Sequence, residues 1–353
     1  MPRPDTRARR RAWGAGLGVV LLALAAIGTA FVPSPRTAAQ ATELGPAEEL
    51  KLGYFATVTH APALVGLEEG ILAEELDGDG TRLQSQVFTA GPSAMEALNA
   101  GAIDAAYMGP SPAISSYLGS AGKSIRVVAG ATSGGAYLVA QPGTESVADL
   151  AGGELATPQY AGTQDIAARD YLREQGADDD VAISHAAAGT AVQLFSRGAI
   201  AATWQPEPWA ALLVEEYGGE VLVDERELWA DGEFPTSVLV VSQEFAAEHP
   251  ETVARLVEAN KRSIDWATAH PEELVGVADA AIRRATGENL SDAVLSRALE
   301  GLTFTADPLE QTYPVLLERA RATGIIPGAT AADLEGLIDT DWVNSDTEGG
   351  RSR

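Results

Sequence analysis

Leu50-Lys51-Leu52-Gly53-Tyr54-Phe55 has strand character and runs through Ala56-Thr57-Val58-Thr59-His60-Ala61-Pro62 into a helical stretch over 61–76. A strand feeding a short polar loop and then a helix is the repeating unit of an α/β sheet. The unit recurs downstream. A second strand with alternating character spans 83–88, and a short helix follows at 93–100, where Ser93-Ala94-Met95-Glu96 has capping-box spacing. Residues 102–108 lead into Gly109-Pro110-Ser111-Pro112 and a helix over 113–118. Further strands are expected at 125–131 and 137–140, the second placed to cross into another domain.

Beyond that crossing the same alternation resumes. Strands are predicted at 154–157, 199–204 and 221–223, with helices at 163–175, 192–197 and 207–217. The strand Ser237-Val238-Leu239-Val240-Val241 reads as the return crossing, and helical periodicity then dominates 245–269, 272–286, 291–299 and 309–323. The layout expected is a discontinuous first lobe, 49–138 plus 242–340, and a second lobe, 139–241, with the C-terminal helices packed back on the first. Two crossings make a hinge, and the cleft between lobes is where a small ligand binds.

Composition bounds the function. The chain has 353 residues, 46% of them hydrophobic, which excludes disorder as its main state and suits about two domains. Residues 1–41 carry six Arg against Asp5, a net +5 that leaves the remainder at −31. A body so acidic repels a phosphate backbone, so nucleic acid is excluded as a partner. The absence of cysteine excludes disulfides, thiolate metal sites, a thiol nucleophile and a lipid-modified cysteine. His60, His185, His249 and His270 show no paired-ligand spacing, so no metal site is expected.

Arg9-Arg10-Arg11 precede an apolar run from Trp13 to Val32 and an Ala39-Gln40-Ala41 cleavage pattern, which together describe an export signal. The run is longer than the usual apolar region of roughly 7–15 residues, so an uncleaved anchor is an open alternative. Positive charge before the run places the body outside in either case. An ordinary basic leader is preferred over a twin-arginine signal. Residues 344–353 read as a flexible tail.

Several loops sit where a strand ends and a helix begins, the position at which open α/β sheets hold ligands. Thr59 is expected to cap the next helix while His60 points from its first turn at a ligand; the alternative is a plain cap and a solvated histidine. Ser111 offers a hydroxyl and Gly109 a close backbone approach, unless the segment is only a turn. Thr132 lies in Ala131-Thr132-Ser133-Gly134-Gly135, read as a small polar loop. Gly162-Thr163 opens the first helix of the second lobe and makes a neutral anion site, or else a simple cap; with no lysine following, it is not a phosphate loop. In Trp204-Gln205-Pro206-Glu207-Pro208-Trp209, Trp204 is expected at the cleft wall and Trp209 inside, with Glu207 meeting a ligand amine or hydroxyl or a backbone donor across the cleft. The alternative makes both indoles core and Glu207 a helix cap. Ser237 is a lesser candidate.

The ordered set resembles the solute-binding proteins of ABC importers for aliphatic sulfonates, taurine and nitrate. The resemblance runs over about residues 50–270 through Lys51-Leu52-Gly53-Tyr54-Phe55, Thr59-His60-Ala61-Pro62-Ala63-Leu64, Gly70-Ile71-Leu72 and Gly91-Pro92-Ser93-Ala94-Met95-Glu96-Ala97-Leu98. It continues through Gly101-Ala102-Ile103-Asp104 with Tyr107 and Gly109, Ser146-Val147-Ala148-Asp149-Leu150-Ala151-Gly152, Gly162-Thr163-Gln164-Asp165 and Trp204-Gln205-Pro206-Glu207-Pro208-Trp209. It implies a type II periplasmic-binding-protein fold, with two α/β lobes joined by two crossover strands and a helical C-terminal segment. It also implies a monomer without cofactor that closes on one small anionic or zwitterionic ligand and delivers it to an ABC permease with its ATPase. Carried over position by position, the ligand touches His60, Ser111, Thr132, Gly162, Thr163 and Glu207.

An aliphatic sulfonate is the leading ligand expected. Taurine, which Glu207 would favour through its amine, nitrate and a thiamine-related pyrimidine are the alternatives. The chain departs from the common lipoprotein form in having no cysteine after its apolar run, so it is expected in the periplasm or on the outer face of the membrane without a cysteine-linked lipid. A cleft enzyme on the same fold is the other class. The resembling desulfinase and pyrimidine-forming families rely on a cysteine, which is absent, leaving a His60/Glu207 acid–base pair as the conceivable device; no catalytic residue is expected.

Overall fold

The computed structural model describes residues 43–287 and 289–344. The expected export segment, 1–41, lies outside the described residues, as does the expected tail beyond Asn344.

The chain opens with β1 (Glu49–Phe55), a 3-10 turn at Val58–His60, α1 (Ala61–Glu68), α2 (Ile71–Asp77), β2 (Arg82–Phe88), α3 (Gly91–Asn99), β3 (Ala105–Met108), α4 (Pro110–Gly119) and β4 (Ile125–Gly134). A second series follows: β5 (Ala136–Ala140), β6 (Glu154–Thr157), α5 (Thr163–Glu174), β7 (Ala182–His185), α6 (Ala188–Ser196), β8 (Ala202–Pro206), α7 (Trp209–Tyr217) and β9 (Glu220–Asp224). The chain then returns through β10 (Pro235–Ser242) to α8 (Gln243–Glu248), α9 (Pro250–Ala269), α10 (Pro271–Thr286), α11 (Asp292–Glu300), β11 (Leu302–Phe304), α12 (Tyr313–Ala322) and α13 (Asp341–Asn344).

These strands form two sheets, ordered β11-β4-β10-β3-β1-β2 and β7-β6-β8-β5-β9. Both are mixed, with parallel and antiparallel pairs. Pairs built by a helical crossover, β1 with β2 and β3 and β6 with β7 and β8, are parallel. The strands that arrive from the other sheet, β5 and β10, pair antiparallel on both sides, because they enter without the crossover helix that would turn the chain back into register.

Alternation along β10 shows how the first sheet is clad. Val238 and Val240 join Met95, Leu98, Ile114 and Tyr313 from α3, α4 and α12, while Leu239 and Val241 face Val253, Leu256 and Val257 of α9. Successive side chains point to opposite faces, and both faces are covered, as strands this apolar require. In the second sheet Leu138, Ala140 and Trp204 pack on α5, and Val139 and Ala156 on α6 and α7.

The first passage between sheets is a glycine pair. Gly134 and Gly135 have φ of 80° and 71°, and a Cβ on Gly135 would stand 2.0 Å from Leu302 Cδ2. Only glycine meets both demands. The C-terminal helices do not rest on the first sheet alone. Residues of α10 and α11, among them Ala278, Ile282 and Leu295, share one apolar cluster with Val58 and Leu64 from the first series and Phe195 and Leu213 from the second.

Several elements depart from expectation for local reasons. The helix read over 61–76 is two, broken at Gly70, which is left-handed at φ 74°. The run 245–269 breaks at His249-Pro250, because proline lacks the donor and drives its predecessor from helical geometry; His249 has φ −131° and ψ 55°. Ser93 makes no capping box, since α3 already begins at Gly91 and the Ser93 hydroxyl donates to the Ala90 carbonyl at 2.8 Å. Thr132 and Ser133 are in β4 itself, paired with β10, and not in a loop.

Candidate functional site

Between the two sheets lies a cavity of about 520 Å³. Its first wall comes from the ends of β1 and β2 and the start of α4, with Phe55, Thr57, Thr59, His60, Phe88, Gly109 and Pro112; Thr236 of β10 joins them. The opposite wall is Pro158, Gln159, Thr163 and Gln164 between β6 and α5, the Ala187-Ala188-Gly189 start of α6, and Pro206 with Trp209 between β8 and α7. Every parallel strand that reaches the cavity does so by its C-terminal end, the ligand position of α/β sheets.

The walls touch. The Thr57 hydroxyl donates to the Glu207 carbonyl at 2.7 Å, and a Cβ on Gly109 would lie 2.8 Å from Thr163 Oγ1. Among the described residues lining this cavity there is no Lys, Arg, Asp or Glu. Polarity comes instead from hydroxyls, amides, one imidazole and helix ends. The first turns of α5 and α6 have no side-chain cap, so their leading N–H groups and dipole ends serve whatever lies before them.

His60 is buried, and burial lowers its pKa to about 3. Its Nδ1 accepts the Phe55 N–H at 3.3 Å and its ring stacks on Phe55 at 4.7 Å, which leaves the proton of the neutral imidazole on Nε2. It is a neutral donor at any ordinary pH and cannot supply a counter-charge. Thr59 is buried beside it and caps no helix; its carbonyl accepts the Ser237 hydroxyl at 2.6 Å, so Ser237 is spent on holding that loop.

Ser111 and Thr132 do not line the cavity, yet both hydroxyls are buried without a hydrogen-bond partner among the described residues. Thr132 pairs with Ser237, and Val238 with Met108, so Thr132, Ser237 and the Gly109-Pro110-Ser111 turn come level at one end of the first sheet. Buried hydroxyls left unpaired are costly enough to need a reason. Thr163 Oγ1, which does line the cavity, is in the same condition. Gly162 is the N-cap of α5 and stands behind Gln159, whose Cγ would be 2.9 Å from a Cβ there.

Trp204 and Trp209 stand elsewhere than expected, and Glu207 follows its alternative reading as a helix cap. Trp204, expected at the wall, is wholly buried on the α5 side of its sheet, where Nε1 donates to Glu225 Oε2 at 2.9 Å and the ring meets Tyr171 edge-on; Trp209, expected inside, lines the cavity. Strand alternation aims Trp204 at α5, whereas Trp209 opens α7 at the strand end. Glu207 does not line this cavity: its Oε2 accepts the Ala211 N–H at 2.8 Å, capping α7, and it lines a separate cavity. Burial raises its pKa to about 7. His60 and Glu207 therefore form no acid–base pair.

The aromatic wall of Phe55 and Phe88, and the α6 start, are wall elements that sequence reasoning missed. Recognising β7 ahead of Ala187-Ala188-Gly189 would have exposed the latter. Among the described residues no three His, Asp or Glu side chains are grouped to hold a metal, and no helix is long and apolar enough to cross a membrane.

A family model described as the NMT1-like family matches residues 43–281. The chain belongs to the NMT1-like family. This NMT1-like protein is 31% identical over 234 residues to a protein of Brucella abortus (strain 2308) named as a binding protein, covering 65% of this chain and 70% of that one. It superposes on the alkanesulfonate-binding protein SsuA of Xanthomonas axonopodis pv. citri with a TM-score of 0.71 at 18% identity, over 84% of this chain and 99% of that one. The periplasmic nitrate-binding protein NrtA of Synechocystis PCC 6803 gives 0.67 at 16% identity, over 84% and 87%. At those identities the likeness concerns the fold, and the fold of this NMT1-like chain is that of periplasmic binding proteins.

Proposed function

We propose that this chain is the exported solute-binding component of an ABC importer, that it captures an aliphatic sulfonate between its two sheets, and that it hands the solute to a permease with its ATPase. The observation that carries the reading is the cavity itself, walled from both sheets, apolar over much of its lining and free of charged side chains among the described residues. The names of its relatives as binding, alkanesulfonate-binding and nitrate-binding proteins support it. The lobes are taken as those expected, with their limits moved so that β5 falls in the second and β10 in the first: 49–134 with 235–340, and 136–234, the first passage being Gly134-Gly135.

In this reading the sulfonate oxygens meet neutral donors: His60 Nε2–H, the hydroxyls of Thr59 and Thr163, and the N-terminal ends of α5 and α6. Ser111 and Thr132, off the lining, keep their unpaired hydroxyls at the end of the first sheet, and Gly162 keeps the α5 turn tight. The hydrocarbon body lies on Phe55, Phe88 and Trp209, where each Å² removed from water gives roughly 25 cal/mol. That term separates the candidates. Nitrate has no apolar body to fill a cavity of about 520 Å³, and the taurine ammonium finds no carboxylate there, because Glu207 faces elsewhere. A planar heteroaromatic such as a pyrimidine is the second reading, favoured by the three aromatic walls.

No chemistry on the solute is assigned. A histidine whose pKa is lowered to about 3 is a poor general base, and among the described residues no nucleophile is hydrogen-bonded to it. A thermal-shift panel of alkanesulfonates, taurine, nitrate and pyrimidines tests the ligand, because a solute that binds only the folded chain raises its melting temperature. An alkanesulfonate is expected to give the largest shift; a larger one from nitrate or taurine would reject the assignment. Sulfite released from the sulfonate would reject the binder reading altogether.

A further inference from the structure

A second cavity, of about 380 Å³, lies on the side-chain side of Glu207. Glu207 stands where three parts of the molecule meet. Its N–H donates to the Gly135 carbonyl at 2.9 Å, in the left-handed pair by which the chain leaves the first sheet. Its carbonyl accepts the Thr57 hydroxyl, and Thr57 lines the ligand cavity. Its Oε2 holds the N–H of Ala211 in the first turn of α7, the helix that begins with Trp209 of the ligand cavity.

The second cavity is walled by the second sheet with α7 and by α11, whose end joins it to the first sheet. Tyr137 and Asp224 are on β5 and β9 of the second, whereas Arg297, Glu300 and Gly301 end α11 and lead directly into β11, which pairs with β4 of the first. Contact there is tight, since a Cβ on Gly301 would stand 2.3 Å from the Tyr137 hydroxyl. A shift of α11 and the β11 strand that follows it against the second sheet therefore changes what surrounds the Glu207 carboxyl.

We propose that Glu207 is a proton-responsive positioning residue which, from the second cavity, sets the placement of Trp209 and Thr57 in the ligand cavity. The inference rests on the reading of the first cavity as the ligand site. The ionisable groups that face the carboxyl are Tyr137 of β5, Asp224 of β9, Arg226 of the turn after it, and Arg297 and Glu300 of α11. Both cations have other partners: Arg226 Nε lies 3.1 and 3.0 Å from the Asp224 oxygens, and Arg297 Nη1 is 3.1 Å from Glu215 Oε1. Burial is the main cause that raises the Glu207 pKa; Asp224 adds to it, while the Ala211 N–H and Arg297 oppose it. Ionisation strengthens the bond from Ala211, because a carboxylate is a better acceptor than a carboxylic acid, and so tightens the turn that carries Trp209.

The test needs no ligand, so its failure is separable from a wrong ligand assignment. Trp209 emission is isolated as the difference between the protein and Trp209→Phe and followed from about pH 5.5 to about 8.5, which brackets a carboxyl raised this far. The expected result is a transition with its midpoint at about 7, abolished in Glu207→Gln and kept in Glu225→Gln, which alters a different buried acid. Arg297→Gln removes a charge that favours ionisation and moves the midpoint to higher pH. A flat difference signal, a transition that survives in Glu207→Gln, or a midpoint unmoved in Arg297→Gln would overturn the proposal.

Discussion

Burial disfavours the charged form of both His60 and Glu225, and because one is a base and the other an acid it shifts them in opposite directions, which makes them good probes. His60 has its pKa lowered to about 3, so below its unfolded value of about 6.5 the unfolded chain binds the extra proton and stability falls as pH drops toward 3. Glu225 is raised to about 7 by burial, against the pull of the Trp204 indole N–H. Its folded pKa lies above the unfolded one, so its contribution is present at low pH and is lost as pH rises through 7. Glu225→Gln should therefore gain on the parent with rising pH, by up to on the order of 3 kcal/mol above neutrality, in urea melts at a series of pH values. A gap independent of pH would contradict this. Loops flanking the predicted strands disclosed His60, Thr59 and Thr163 as cavity residues, because a strand end marks a site whatever its sequence. Trp204 and Trp209 were exchanged because their composition is alike and only the strand's alternation and the helix start tell them apart.

At the scale of elements, Gly134-Gly135 and β10 carry most of the architecture. Gly135→Ala places a side chain in left-handed geometry and against Leu302, which should cost about 2–4 kcal/mol and loosen the pairing of β11 with β4. Leu239→Ala, in the centre of the first sheet, should cost about 2–5 kcal/mol without moving the cavity. Chemical denaturation checks both, and a neutral Gly135→Ala would mean that the passage between sheets is slack. The alternation of strands and helices, and the return strand 237–241, were readable because apolar runs and their spacing are local properties. The direction of β5 and β10 was not, since it depends on which sheet the strand arrives from. The three- and four-residue strands β11 and β7 were also missed, being too short for any periodicity to register.

Across the whole molecule, the net charge of −26 joins +5 over residues 1–41 to −31 over the remainder, which has Lys51, Lys123 and Lys261 as its lysines. The cavity adds no cation among the described residues, so the anionic solute proposed above would be drawn in by helix ends and neutral donors against the general field. Association with a sulfonate should become faster as salt screens that field, a trend stopped-flow fluorescence would read; slowing with salt would reveal a cationic entrance. The most direct test of the account is calorimetric titration of the folded body with a linear alkanesulfonate. One saturable site is predicted, with affinity reduced about tenfold or more in His60→Ala and in Thr163→Ala, each with the fold retained. No binding, or an affinity unchanged in both variants, would contradict it.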